Sequence, residues 1–523
     1  MSETRERHDL LAEPLLRLED ETGARHEVTL PGLLAAWSRG DRRELASLQA
    51  HQQHAWYSFC VQLAVLALAR AEAGAPAEDE ARWRELLLTC AAADNAGPEA
   101  FQLVVDDLRK PAFMQPPVPE GSLDALKHEH LTPSSELDVL VTAKNHDVKI
   151  QGIEQPSPEQ WVFALVTLQT MQGFLGAGNY GIARMNGGFA SRPCVAYAPG
   201  LGSADRFLRD VRSVLDARAT LLDRCFGAKR RVGLVWCEPW DGKVSLGFDE
   251  LDPSFIEVCR RVRLTRGASG QILARRGSSR AARILASDAQ GNTGDPWTPV
   301  SSDGKALTLP EAGFTYDRVQ SFFFGDWHHG AAGDLRAGEQ VRYWLGQVLV
   351  RGQGKTGGYH ERWVPVPPKA RPFLSSKDAR ASLGHRAKMW VERAGAARLK
   401  VLKPAVLTYL QGAPEKLKFD DGRAEPTLRR FDRAIDQEFF ELLFENADAD
   451  SEVANAVFEH RLFELAQAEL ELAFRSMPTS IARRARAVAY AERVLRGAAL
   501  HQLPSLKPPS GNAPIAPETG DPT

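Results

Sequence analysis

The last third of the chain constrains the fold most. From about Ser375 the sequence settles into four long helical patterns, roughly 377–411, 425–447, 450–475 and 479–500. They are broken only at Gly412–Gly422, Asp448–Asp450 and Met477–Pro478. Phe431, Ile435, Phe439 and Leu442 recur at the helical period, as do Phe458, Leu462, Leu465 and Leu472. Each apolar stripe has to be buried, and connections this short leave antiparallel neighbours to do it. A C-terminal four-helix bundle over 373–503 is therefore expected. Pro404 lacks the N–H that a straight first helix needs, so a kink is expected there. Residues 504–523 hold six prolines and almost nothing that packs, which reads as a disordered Pro-rich tail.

Residues 1–372 have a different texture. Leu10–Leu18 reads as a strand, Glu21-Thr22-Gly23 as its turn and His26–Leu30 as the return, a β-hairpin. Helical patterns occupy 32–38, 42–72 with a stripe of Trp56, Phe59, Leu63, Leu66 and Leu68, and about 78–93. Ser157-Pro158-Glu159-Gln160 combines an N-cap, a first-turn proline and a capping-box glutamine, so a helix Trp161–Gln172 is expected, stopping at Gly173. Over 231–365, short strand-like runs (Val232–Cys237, Val341–Val350) alternate with loops rich in Gly, Asp and Pro. There is no regular β-α alternation. The class is α+β: a large mixed N-terminal domain, then the bundle.

At 523 residues, with 43% hydrophobic and 25% charged residues, the chain can bury more than one core. Its longest apolar stretch, Val61–Ala69, is about half a membrane span. The charged start Met1–Asp9 has no secretory h-region, so a cytoplasmic protein without membrane contact is expected. Cys60, Cys90, Cys194, Cys225, Cys237 and Cys259 form no C-x-x-C pair, so neither a disulfide framework nor a metal site is expected.

The net charge of −2 hides segregation. Eight arginines (Arg260, Arg261, Arg263, Arg266, Arg275, Arg276, Arg280, Arg283) stand between 260 and 283 with no acid among them. Glu72–Asp107 holds nine acids against Arg82 and Arg84, and Asp436–Glu471 eleven against Arg461. Charge sorted in this way lets one face attract phosphate while others stay soluble.

No catalytic constellation emerges. Asn145-His146-Asp147-Val148-Lys149 is polar, but no second or third convergent group stands near it. His328-His329 are adjacent, and on a strand they would point to opposite faces. The glycines from Gly173 to Gly188 lack the G-K-[ST] of a P-loop and come after a helix, where a dinucleotide loop comes after a strand. No enzyme activity and no cofactor are expected.

Duplex recognition from the minor groove asks for backbone without side chains, cations for phosphate and a wedge for a base step. Gly176 to Gly181 offers the first. A second cluster, Gly352, Gly354, Gly357 and Gly358, stands among Arg351, Lys355, Tyr359, His360, Glu361, Arg362 and Trp363, where a guanidinium or a ring can stack on an unpaired base. The bland alternatives are a flexible linker and a hairpin with Trp363 in a core.

At these residues the sequence resembles the CasA large subunits of type I-E CRISPR Cascade. Leu10-Leu11-Ala12-Glu13-Pro14 with its hairpin, Pro111-Ala112-Phe113-Met114-Gln115, the glycine run through Gly176-Ala177-Gly178 and Arg184 to Gly188, Gly357-Gly358-Tyr359 and Phe431–Asp436 keep that family's order. The resemblance implies a subunit without chemistry of its own. It would recognise a short protospacer-adjacent motif (PAM) in double-stranded target DNA through the minor groove and start strand separation and R-loop formation. It would also recruit a helicase-nuclease in trans.

Its partners would be the crRNA and the backbone, small, crRNA-capping and crRNA-processing subunits, a division of labour that leaves sequence reading to base pairing. Carried over by position, Gly176, Ala177, Gly178 and Asn179 would face the groove. Arg362 and Trp363 fall at the wedge, where the family usually has amides, and Lys355 and His360 flank it. Arg275 and Arg276 are candidates for a cationic finger. Asn145, His146 and Lys149 lie where the family docks on the guide-RNA end. The large subunit of another type I CRISPR effector and, further off, a metal-dependent nucleic-acid enzyme are the alternatives.

Overall fold

The computed structural model describes residues 7–126, 128–131, 134, 137, 156–187, 191–223, 226–336, 338–352 and 355–507. The chain divides into two compact units. One comprises Met1–Phe314 with Asp326–Val364, the other Thr315–Gly325 with Pro365–Thr523. The division falls at Pro365, a few residues before the expected 372/373 boundary. The second unit also takes a segment from the middle of the sequence.

The first unit is built around the helix Ala50–Arg70, buried from His54 to Leu68 on every side. A helix apolar around its whole circumference belongs at the centre of a core. Trp56 and Phe59 meet Phe163 and Phe113 edge-on at 5.0 and 5.6 Å. The helices Leu30–Ser38, Glu80–Ala93, Pro158–Met171 and Ser203–Leu222 stand around it. Their starts are written in the sequence: Thr29 Oγ1 accepts from the Gly32 N–H at 2.9 Å, and the Ser157 N–H donates to Gln160 Oε1 at 2.9 Å.

Small sheets close the unit. The expected hairpin is present as Leu16–Glu19 with Arg25–Val28, and Glu44–Leu45 adds a third strand. Only the end of the Leu10–Leu18 run is extended. Leu10 and Leu11 sit buried in a turn, which the alternation of apolar residues did not predict. Tyr343–Gly352 lies between Lys355–Pro365 and Cys194–Ala198, antiparallel to the latter. Ile272–Gly277 lies between Arg261–Arg266 and His128–Leu131, antiparallel to both. Val232–Leu234 and Leu251–Ile256 pair parallel. The mixture is α+β, as the sequence implied.

The second unit is helical. Lys377–Ala396 continues through a π-helical turn, Ala397–Leu402, into Lys403–Leu410, so the helix absorbs the missing N–H of Pro404 in a widened turn. Glu425–Glu445, Ser451–Ser476 and Arg484–Gln502 complete four helical stretches. Trp390 stacks on Phe458 at 4.1 Å and donates from Nε1 to Asn455 at 2.8 Å.

Three expected core positions, Leu442, Leu465 and Leu472, are corrected, Leu465 being half-buried. Leu443 is buried where Leu442 is half-buried, and Ser451–Ser476 packs through Phe458, Leu462, Ala466 and Leu470 while Leu472 is 41% exposed. The buried positions advance by four residues each, so the buried face drifts round the 3.6-residue helix and leaves the heptad-spaced Leu472 outside it. The helix Tyr316–Phe324 also belongs here, with Phe323 on Phe440 at 5.4 Å and the Tyr316 N–H donating to Asp436 at 2.6 Å. Of the proline-rich end, Pro504–Leu506 forms a 3-10 turn and the Ser505 N–H donates to Glu459 at 2.8 Å; residues 508–523 lie outside the described residues.

Candidate nucleic-acid interface

The helix Pro158–Met171 ends at Gln172, whose ψ of 128° turns the chain out of the helical path. The next residues form a closed turn. The Leu175 N–H donates to Asn179 O and the Asn179 N–H to Gly176 O, each at 3.0 Å, and the Ile182 N–H returns to Gln172 O at 3.0 Å. Gly176 has φ +102° and Gly178 φ +85°, which side chains rarely tolerate, and Ala177 is exposed at the apex.

The two glycines are glycine for different reasons. A Cβ at Gly178 would stand 2.9 Å from Ser278 Cβ, whereas one at Gly176 would meet nothing within 4 Å. Gly178 is fixed by packing. Gly176 is fixed by its backbone and leaves open space before it.

The turn is pinned to the end of the strand Ile272–Gly277. Gly178 O accepts the Ser279 N–H at 3.0 Å, and the Tyr180 hydroxyl donates to Arg280 O at 3.1 Å. From below, Arg260 donates through Nη2 to Gly173 O at 2.5 Å and through Nη1 to Tyr180 O. The glycine turn and Arg275-Arg276, far apart along the chain, are thus neighbours. Arg276 lies three residues from Ser279, about 10 Å along an extended chain.

The arginine run itself divides. Arg260, Arg261, Arg263 and Arg283 are buried, while Arg266 and Arg275 are half-buried and Arg276 and Arg280 exposed. This corrects the expectation of one cationic stripe. Arg263 spends its guanidinium on the carbonyls of Lys110 (2.9 Å) and Val105 (3.0 Å), and burial pushes its pKa down to about 10. Arg283 donates to Glu238 O at 3.0 Å, and burial likewise brings it down to about 10. Arg275 and Arg276 are adjacent on one strand, opposite Arg263 and Val262, so they face opposite sides of their sheet.

Beneath the turn lies an ion cluster that no local pattern announced. Arg184, 1% exposed, pairs with Glu257 at 3.0 Å and reaches Asp295 at 3.4 Å. Its guanidinium covers the Phe255 ring at 3.8 Å, and Arg192 holds Asp295 at 2.6 Å. Burial lowers the Arg184 pKa and raises that of Glu257. For Asp295 burial acts the other way but is outweighed by Arg192 and Arg184, which hold its carboxyl below the usual range.

Two buried glutamines tie this frame together. Gln115, which closes Pro111–Gln115, accepts the Leu264 N–H at 2.6 Å and donates to Leu103 O at 2.9 Å. Gln169 accepts the Cys259 and Arg260 N–H groups and donates to Met114 O. The glycine turn is therefore tied at both flanks, through Gly173 O to Arg260 and through the Tyr180 hydroxyl to Arg280 O.

The second glycine segment is placed otherwise. Arg362 and Trp363 stand in the body of the strand Lys355–Pro365, several residues from its start. Arg362 donates to Phe314 O at 2.7 Å. Trp363 donates to Glu361 at 3.0 Å, lies edge-on to Tyr343 at 5.9 Å and receives the Arg206 guanidinium at 5.8 Å. His360 packs on Gly313, where an added Cβ would come within 2.5 Å of Nδ1, and burial lowers its pKa. The Lys355 side chain lies outside the described residues, as do Asn145, His146 and Lys149.

Of the residues weighed for chemistry, Asn145 to Lys149 lie outside the described residues. Among the described residues no three His, Cys, Asp or Glu side chains converge as a metal ion would need. His328 and His329 line a cavity of about 330 Å³ with Arg218, Asn292 and Thr298. The described cysteines, Cys60, Cys90, Cys194, Cys237 and Cys259, are buried and free. No described helix is long and apolar enough to cross a membrane.

A mixed α/β body carrying a terminal helical bundle defines the class: this is the fold of the CRISPR-associated Cse1, or CasA, proteins. Cse1 of Acidimicrobium ferrooxidans superposes with a TM-score of 0.63 at 14% identity, over 96% of this chain and 99% of that one. Cse1 of Thermobifida fusca gives 0.63 at 15% identity, over 95% and 98%. CasA (Cse1) of Thermus thermophilus gives 0.60 at 16%, over 95% and 100%. At the level of sequence alone, no family model and no curated protein matches.

Proposed function

We propose that this chain is the large, non-catalytic subunit of an RNA-guided surveillance complex of the type I-E Cascade kind. The observation that carries the reading is agreement along nearly the full length of both chains with Cse1 and CasA structures at TM-scores of 0.60–0.63. Identity near 15% leaves little but the fold to share, so correspondence from the opening hairpin to the last bundle helix weighs more than any motif.

In this reading the turn Gly176–Asn179 meets the minor groove at a PAM with backbone alone, Ala177 leading. The open space before Gly176 and the mounting on Ser279, Arg260 and the Arg184 cluster support it. A probe that reads a groove by close approach must not yield when it touches, and a loop tied at both flanks meets that demand. Of the arginines nearby, the exposed Arg276 and Arg280 would hold phosphate, while Arg275 faces the other side of its sheet. Strand opening, R-loop formation and recruitment of a helicase-nuclease belong to the same reading. So do docking through Asn145, His146 and Lys149 on the crRNA-bearing subunits, and a cytoplasmic location. For the wedge, Lys355, His360, Arg362 and Trp363 remain the proposal; because Arg362 and Trp363 already hold partners in the sheet, they would act by bracing the hairpin 343–365 as it meets the duplex.

Co-expression with the products of adjacent genes tests this. The expected result is a stable assembly containing this chain and a short RNA of uniform length, binding duplex DNA only beside a defined motif. A chain that purifies alone and cuts DNA with a divalent metal contradicts it.

A further inference from the structure

The helix Ser203–Leu222 lays Val214, Ala217, Arg218 and Leu221 along one face, and that face walls the cavity of about 330 Å³ in the first unit. Pro253 and Ser254 of the strand Leu251–Ile256, the loop Asn292–Val300 and the segment His328–Ala331 close its other sides. Backbone hydrogen bonds fix these walls. The Val195 N–H donates to Trp297 O at 3.0 Å and the Ala332 N–H to Pro296 O at 2.9 Å, which holds the loop between the strand Cys194–Ala198 and the segment after His329. A Cβ at Gly330 would collide with Asp295 O and Pro296 O, so loop and segment touch backbone to backbone. A site with walls held in this way is formed before a ligand arrives.

Its polar groups are mostly unspent. Asp252, 1% exposed, accepts from Arg218 Nε at 3.3 Å and from Nη2, and also takes the Ser254 N–H at 2.9 Å. One buried carboxylate thus sets a guanidinium and a serine side by side. Arg218 Nη1 and the Ser254 hydroxyl have no partner among the described residues, although Ser254 is only 2% exposed. Asn292 and His328 are exposed at the same cavity. Among the described lining residues the one carboxylate, Asp295, is already filled by Arg192 at 2.6 Å and by the Trp297 N–H at 3.0 Å. A cation would find nothing open to hold it, whereas a ligand rich in acceptor oxygens would.

The apolar remainder sets the body of that ligand. Ala217, Pro253, Pro296 and Ala331 are short or ring-shaped and offer flat surface, which suits a planar ring better than a flexible chain. The volume stands at the small end of ligand sites, with room for one nucleotide and none for a strand. The three terminal oxygens of a phosphate monoester match the gathered donors better than the two of a carboxylate. Because Asp252 offsets the Arg218 charge, hydrogen-bond geometry and not net charge carries this preference.

We infer that this cavity binds a single nucleotide, its phosphate on Arg218 and Ser254 and its base against Pro253 and Pro296. The nucleotide is free, or it is the 5′-phosphorylated end of a strand. The site shares no residue with the glycine turn, and it holds independently of the surveillance-complex reading.

Calorimetric titration of the full chain with AMP, GMP, CMP and UMP, with their nucleosides, with inorganic phosphate and with a 5′-phosphorylated trinucleotide tests it. At least one monophosphate should bind at a single site, about tenfold or more tighter than its nucleoside or inorganic phosphate. Ser254→Ala removes a hydroxyl that holds nothing in the fold. It should leave the thermal midpoint unchanged and weaken that monophosphate about tenfold, the scale of one hydrogen bond to a charged group. Ala217→Phe, which fills the cavity from the helix, should abolish binding. A trinucleotide that binds as tightly as the monophosphate supports the site with a strand end as its source, and a weaker one supports it with the free nucleotide. Absence of monophosphate binding overturns the inference. So does an affinity that Ser254→Ala leaves unchanged, or tighter binding of indole-3-acetate, a carboxylate on a planar ring.

Discussion

The two glycine-rich segments of the first unit look alike in sequence and behave differently in the fold. Around Gly176 and Gly178 the glycines take positive φ, close a five-residue turn and leave Ala177 exposed. In the hairpin 343–365, Arg362 and Trp363 are in-sheet residues whose polar groups go to Phe314 and Glu361. Glycine beside cation and aromatic is thus an ambiguous cue. Positive φ alone does not separate the two, since Gly358 has φ +137°; what separates them is that Gly176 sits in a closed turn before open space while Gly358 lies within a strand.

The strongest way to break the comparison is to remove what mounts the turn. Arg184→Ala leaves Glu257 buried without its guanidinium and should cost about 3–5 kcal/mol, the scale for one orphaned partner of a buried pair. Denaturant titration measures it, and a loss below about 1 kcal/mol would show the cluster to be marginal. The hairpin side is instead tied to pH. His54 is buried 5.7 Å from the Tyr359 ring, and burial, with the Arg192 and His51 charges adding, pushes its pKa down to about 3.

The unfolded chain takes up that proton near pH 6.5. The contribution is therefore complete above pH 6.5 and lost as pH falls toward 3. Between pH 6.5 and 5 this one group should cost the wild type about 2 kcal/mol, and His54→Gln should flatten that slope whatever it does to the intercept. An unchanged slope would place the acid sensitivity elsewhere.

Smaller effects sharpen the contrast between the glycines. Gly178→Ala meets both backbone strain and Ser278 and should destabilise by about 2–3 kcal/mol, whereas Gly176→Ala meets strain alone and should cost about 1–2 kcal/mol. Equal losses would mean that Ser278 gives way freely. Smallest is the charge effect: Arg276→Glu in the assembled complex should lower the slope of log K against log salt by about 1, with sequence preference kept. An unaltered slope would turn that arginine away from phosphate.

Much of the fold was legible because it rests on local rules. The capping box at Ser157–Gln160, the hairpin at Glu21–Gly23 and the bundle stripes of Phe431, Ile435 and Phe439 each depend on neighbours within a few residues. What escaped rests on distant partners. Arg184 and Glu257 are 73 residues apart, and Arg192 and Asp295 103.

The arginine run misled for the same reason. Composition cannot tell a guanidinium that meets solvent from one that, like Arg263, closes carbonyls more than 150 residues away. Likewise Tyr316–Phe324 lies between strands of one unit in sequence but packs with the other, because Phe323 finds Phe440 and Phe444 there.

The central claim is that bare backbone at Gly176 samples duplex DNA, and one measurement addresses it directly. Binding of the reconstituted assembly carrying Gly176→Val is compared on duplexes with and without the adjacent motif, at fixed salt. Because a Cβ at this position meets nothing within 4 Å, the change strains the turn's own backbone without displacing a neighbour, so assembly and guide-RNA content should be unchanged while preference for the motif disappears. Full preference retained by the valine variant would contradict the account.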